Sequence, residues 1–283
     1  MRTSPWLRRI LTLDPERDAQ QIVRIDTVYE FPFDTTRSLE LALFRTFGSP
    51  NVSRLLDETR EFALRAQRRY DDTDLILSTI VESGYDSEDG KRAIRRMNRL
   101  HRRFDIANED FLYVLSTFVY EPIRWNARFG WRRFVEHERL AWFHYWREVG
   151  KRMAITELPS TYDELERYNV EYECAKFRFT ETNARVARAS RDMFVAWFPG
   201  VPKSVGCYAI SALMDERLRG AIGFPRPPRT LVRAVDGSLR ARAAAVRLLP
   251  PRRRPKLRTE IRHRTYRRGY VLEALGPLPP ETA

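Results

Sequence analysis

Cysteine is almost missing from this 283-residue chain, with Cys174 and Cys207 its only two. Two thiols make no disulfide framework, and neither sits in a Cys-x-x-Cys, Cys-x-x-Cys-His or zinc-ligand spacing, so a disulfide scaffold, a structural zinc site and a covalently attached haem are excluded. No stretch reaches the roughly 18 apolar residues of a membrane span, and Met1 to Arg9 passes toward Pro15 without the apolar run of a signal peptide. The expectation is a cytoplasmic protein. Gly-x-Gly-x-x-Gly, the P-loop, Gly-x-Ser-x-Gly and His-Glu-x-x-His are all lacking, which removes several nucleotide-binding and hydrolase classes. No repeat and no alternating strand series is present either.

Charge is plentiful but unevenly placed. The formal net charge is +13, and Arg226 to Ala283 holds 15 Lys or Arg against 4 Asp or Glu, while residues 1–225 are nearly balanced at 36 against 34. Nearly all the cations are arginine, as a GC-rich coding sequence produces without functional cause. The alternative is a basic surface for an anionic partner.

Helical spacing and stop signals divide the chain into an all-α, single-domain fold. Leu39 to Phe44 reads as a short helix ended by Gly48-Ser-Pro50, and Leu55, Thr59, Phe62, Ala66 and Arg69 continue through Thr73, Ile76 and Ile80 to Gly84 as one long or kinked helix. Ile94, Met97, His101 and Phe104 recur at steps of 3, 4 and 3, with arginines on the other faces. Asn108 is expected to cap a helix that Pro122 limits, and Gly150 to stop a helix over 132–149. Thr161-Tyr-Asp-Glu164 fits a capping box for a helix to about Phe179. Further helices are expected at 182–197, 204–222 and 230–248, followed by a loop-like end.

Two constellations could carry chemistry. Of four histidines, only His101 lies on a stripe otherwise made of Ile, Met and Phe. That position suits either a core histidine satisfied by a hydrogen bond or an imidazole ligand to a haem. Arg69 and Thr73, four residues apart, share a helical face, and an inward arginine needs an anionic or accepting partner. A carboxylate such as Glu58 would serve, as would a bound ligand.

The runs Tyr29-Glu-Phe-Pro-Phe-Asp34, Arg69-Tyr-Asp-Asp-Thr73, Arg95-Arg-Met-Asn-Arg-Leu-His101 and Asn108-Glu-Asp-Phe-Leu-Tyr113 resemble the MpaB-like oxygenases, which share a catalytic domain with latex-clearing rubber oxygenases. Gly130-Trp-Arg, Glu138-Arg-Leu-Ala141, Gly150-Lys-Arg-Met-Ala-Ile155 and Leu158-Pro159 extend the likeness, which runs from about Tyr29 to Gly276. It implies residues 1–28 as an N-terminal extension, 29–276 as the catalytic domain with 226–276 as its Arg-rich part, and 277–283 as a tail. It also implies a globin-like helical core, a non-covalent b-type haem, and oxidative cleavage of carbon–carbon double bonds in isoprenoid chains. His101 matches the axial iron ligand, and Arg69 and Thr73 match the distal arginine and threonine. Where latex-clearing enzymes can place a distal lysine before that threonine, this chain has Asp72. Glu58 is the nearest counterpart of their glutamate base, but its offset from Arg69 differs.

The expected enzyme is therefore a haem-dependent oxygenase whose substrate lies among Phe62, Phe104, Phe111 and Phe118, with the Arg-rich region touching an anionic membrane surface. The competing readings are a helical nucleic-acid-binding protein and a non-catalytic partner protein without haem.

Overall fold

A computed structural model describes residues 4–277, and among them there are α-helices and short π and 3-10 turns but no strand. The helices are α1 (Pro5–Ile10), α2 (Ala19–Ile25), α3 (Pro32–Thr46), α4 (Pro50–Glu58), α5 (Glu61–Ser83), α6 (Glu88–His101), α7 (Asn108–Phe129), α8 (Glu136–Arg152), α9 (Tyr162–Lys176), α10 (Glu181–Val195), α11 (Lys203–Ala212), α12 (Glu216–Ile222) and α13 (Arg229–Leu248). Their starts follow from local chemistry. Ser87, Thr180 and Asp215 side chains accept from backbone N–H groups three residues on, and Thr161 with Glu164 forms the expected capping box.

Helix α7 lies at the centre, packed on α3, α8 and α9, while α5 packs on α6 and α10. One apolar cluster gathers around Tyr120, Trp142, Tyr145 and Trp146, with Ile10, Ile22, Val23 and Ile25 from the N-terminal helices. A second gathers around Phe44, Phe47, Phe62, Tyr70, Phe194 and Leu218. Ion clusters pin these layers from inside. Arg45 is bound by Glu121, Glu173 and Asp215, and Arg132 is clasped by Glu30 and Glu138.

Several boundaries differ from expectation. The long helix over 55–84 is two helices, because Arg60 adopts a left-handed conformation (φ 56°) and ends α4; α5 then kinks at Arg65. Pro122 does not limit α7, which continues to Phe129; a proline removes only one internal bond, and the apolar face persists on both sides. Gly150 lies inside α8 rather than after it. A Cβ there would stand 2.7 Å from Leu115 and 3.1 Å from Leu158, so this glycine permits close packing against α7. Asn108 does not cap α7 but exchanges two hydrogen bonds with the backbone of Thr156. The helix expected over 204–222 is broken between Leu213 and Asp215 into α11 and α12.

Candidate active site

Where the two apolar clusters meet, the fold leaves a cavity of about 810 Å³, walled by α3 to α8 and closed by Arg258, Gly276 and Pro277 from the end of the chain. Its volume lies within the roughly 300–1,000 Å³ usual for ligand and cofactor sites. Arg69, Thr73 and His101 all line it, as do Phe62, Phe104, Phe111 and Phe118. The helical stripe and the Arg69–Thr73 spacing thus converge on one space. Phe104 stands beyond the end of α6 and is 36% exposed, so it belongs to the rim rather than to the core.

His101 is the last residue of α6, with its ring edge-on to Phe111 at 5.2 Å. Nδ1 is buried and has no hydrogen-bond partner. Burial, with Arg69 adding repulsion, pulls the imidazole pKa down to about 4, so the ring is neutral at physiological pH. A core histidine satisfied by a neighbour is therefore not what the structure holds. His144 lies elsewhere, 3.7 Å from Glu16, and neither it nor His137 lines the cavity. His263 is buried behind α5, with Nδ1 3.8 Å from both Asp71 and Asp74.

Arg69 enters from α5. Its Nη1 donates to Thr73 Oγ1, whose hydroxyl lies 3.1 Å from the Arg69 carbonyl oxygen, and the guanidinium rests 5.4 Å from the Phe62 ring centroid. Burial lowers its pKa, with Asp72 and Glu61 acting the other way. No carboxylate among the described residues pairs with it. Glu58 in particular pairs with Arg54 at 3.4 Å and is largely exposed at the rim, so the proposed Arg69–Glu58 pair is absent. Asp72 also lines the cavity and turns to Tyr266, which donates to it.

Glu40 on α3 went unnoticed in the sequence. It lines the cavity, accepts from Tyr70 at 2.8 Å and pairs with Arg37 at 2.6 Å. Burial drives its carboxyl up to about 7, against the pull of Arg37 and Tyr70. The available signal was a charged residue between Leu39 and Leu41 in an otherwise apolar turn.

No group of three or more His, Cys, Asp or Glu able to hold a metal ion occurs among the described residues. None of the described helices is long and apolar enough to cross a membrane.

The family model described as ER-bound oxygenase mpaB/B'/Rubber oxygenase, catalytic domain, matches residues 42–278. Similar proteins include ER-bound oxygenase mpaB of Penicillium roqueforti (strain FM164), 29% identical over 225 residues, covering 73% of this chain and 76% of the relative. ER-bound oxygenase mpaB' of Penicillium brevicompactum is 28% identical over 242 residues, covering 79% of this chain and 57% of that relative. With most of its length matched by the model and its Arg69, Thr73 and His101 gathered in one cavity, the chain belongs to the mpaB and rubber oxygenase catalytic-domain family and is an oxidoreductase of the oxygenase class.

Proposed function

We propose that the cavity takes a non-covalent b-type haem whose iron His101 would hold, and that the protein uses O₂ to cleave or oxygenate an apolar, isoprenoid-like chain. The observation that carries this reading is His101, a neutral imidazole with a buried, unpartnered nitrogen at the wall of a large cavity. Such a ring can give a nitrogen to a metal without breaking an internal bond. Among the described residues no cluster of protein ligands converges beside it, and a haem would bring its own macrocycle ligands to a metal held there. When bound, the haem iron supplies the one-electron and O₂ chemistry that side chains lack.

The chain's own residues do the rest. Thr73 fixes the Arg69 guanidinium on the cavity side, and the other N–H groups of Arg69 have no acceptor among the described residues. They are free to orient a small polar ligand or to stabilise developing negative charge in a dry site. Glu40, with its pKa near neutrality, can accept or return a proton at its carboxyl oxygen. Phe62, Phe111 and Phe118 exclude water and offer apolar contact to a hydrocarbon chain.

The test is oxidation of a prenyl compound by the haem-loaded protein under ¹⁸O₂. Cleavage of one carbon–carbon double bond by one O₂ gives two carbonyl products, and each should carry one labelled oxygen. A haem-loaded protein that consumes no O₂ with any prenyl chain would overturn the substrate class.

To this reading we add peripheral contact with anionic lipid, where apolar substrates partition. Arg229, Arg233 and Arg240 are exposed, fall on one face of α13 and make no ion pair among the described residues, and each cation near such a surface contributes roughly 1 kcal/mol. Co-sedimentation should show binding to anionic vesicles that fades with salt and is absent with neutral ones. Equal binding to both removes the idea.

A further inference from the structure

The last described stretch, residues 256–277, is more than a loop-like end. It crosses α5 and binds that helix through its acidic residues, 176 to 194 positions earlier in the chain. Arg258 N–H donates to Glu82 at 2.5 Å, the Arg258 guanidinium binds Asp74, and Thr265 N–H donates to Asp71 at 2.8 Å. Tyr266 donates its hydroxyl proton to Asp72. Arg258, Gly276 and Pro277 then complete the cavity wall beside Arg69 and Thr73.

Asp72 is the natural ion partner of Arg69. The two are three residues apart on one helix, a spacing at which opposite charges meet, and α5 makes a local pair at the neighbouring four-residue spacing between Glu61 and Arg65 at 2.7 Å. Yet Arg69 is not paired with Asp72. One Asp72 oxygen is taken by Tyr266, and the other stands 3.9 Å from Arg68 Nε, with Arg68 in turn 5.8 Å from the Tyr266 ring centroid. The backbone of Gly276 acts on Asp72 from the same segment. The carboxylate is therefore held from the C-terminal side, and the Arg69 cation is left to the cavity.

We propose that Tyr266 is a positioning residue: by holding Asp72 away from Arg69, it keeps the guanidinium available to an anionic or polar ligand in the cavity. Without the phenol hydroxyl, Asp72 turns to Arg69, neutralises it and occupies its N–H groups. The C-terminal segment thus acts on Arg69 through one aspartate.

This inference rests on the haem-site reading, and its test separates the two. The probe is azide, titrated into ferric, haem-loaded protein and followed by the visible spectrum. Tyr266→Phe should weaken azide binding by about tenfold, the loss of one charge-assisted hydrogen bond, while haem content stays at the wild-type level. Asp72→Asn, which removes the competing charge, should bind azide as tightly as wild type or tighter. Tyr266→Phe combined with Asp72→Asn should return to that level, which a role in packing alone does not produce. Unchanged affinity in Tyr266→Phe, weakening by Asp72→Asn alone, or a double variant no better than Tyr266→Phe overturns the proposal. Failure of the wild-type protein to take up haem instead overturns the reading on which it rests.

Discussion

Replacing His101 with alanine should leave a folded helical protein that has lost nearly all haem binding and, with it, O₂-dependent activity. The reasoning starts from the lack of any hydrogen bond to the ring. A histidine that satisfied a core partner would leave that partner stranded on removal, at about 1 to 3 kcal/mol. Here Nδ1 has no partner to strand, and the ring borders an existing cavity, so stability should fall by less than about 1 kcal/mol. The effect falls on the cofactor instead. His137→Ala and His144→Ala should keep full haem, since neither side chain reaches the cavity. Haem-to-protein ratios measured beside circular dichroism check this, and loss of haem in either of those two variants would mean that the iron ligand is another histidine.

Arg132→Met should produce the largest loss of stability, about 3 to 5 kcal/mol in urea unfolding, the usual result of stranding buried charge. The Arg132 side chain is only 2% exposed, and its partners Glu30 and Glu138 are 3% and 0% exposed at 2.7 and 2.6 Å. Asp26 lies near enough that Glu138 raises its pKa, second to burial, and Arg132 lowers it. Removing the cation leaves several carboxyl groups with no counter-charge. Changing Glu30 and Glu138 to glutamine in the same protein should recover part of the loss, because the repulsion then disappears. The cluster also holds the start of α8 against residues 26–30, and both segments contribute to the cavity wall through Thr27, Trp142 and Trp146. A loss below about 1 kcal/mol would show that the pair is solvated or replaceable.

The helices were largely legible from spacing, because apolar residues at three- and four-residue steps report burial directly. His101 and the Arg69–Thr73 pair could be nominated for the same reason, and the structure brings them to one cavity. What sequence spacing could not show was the partner of each inward charge. Helical geometry offers Glu58 as one partner for Arg69, but the left-handed turn at Arg60 breaks the helix between them. Pro122 and Gly150 look like stops in sequence, yet here one is absorbed within a continuous apolar face and the other serves close packing.

The Arg-rich C-terminal region was the least legible. As composition it suggested coding bias or an anionic surface, but several of its arginines have specific structural partners. Arg242 binds Asp34 at 2.7 Å, Arg247 donates to the Trp131 carbonyl oxygen, and Arg258 binds Asp74. These contacts join residues more than a hundred positions apart, and no local pattern encodes them. Tyr266 is out of reach of a local pattern for the same reason, its partner Asp72 lying 194 positions away.

The central claim is that the cavity beside His101 is a haem site, and titration of haem into the wild-type chain tests it most directly. The account predicts saturable binding of one haem per chain, with a Soret band that shifts on binding and is lost in His101→Ala. A wild-type protein that takes up no haem under any loading condition, or a His101→Ala variant that binds it as tightly, would contradict the account.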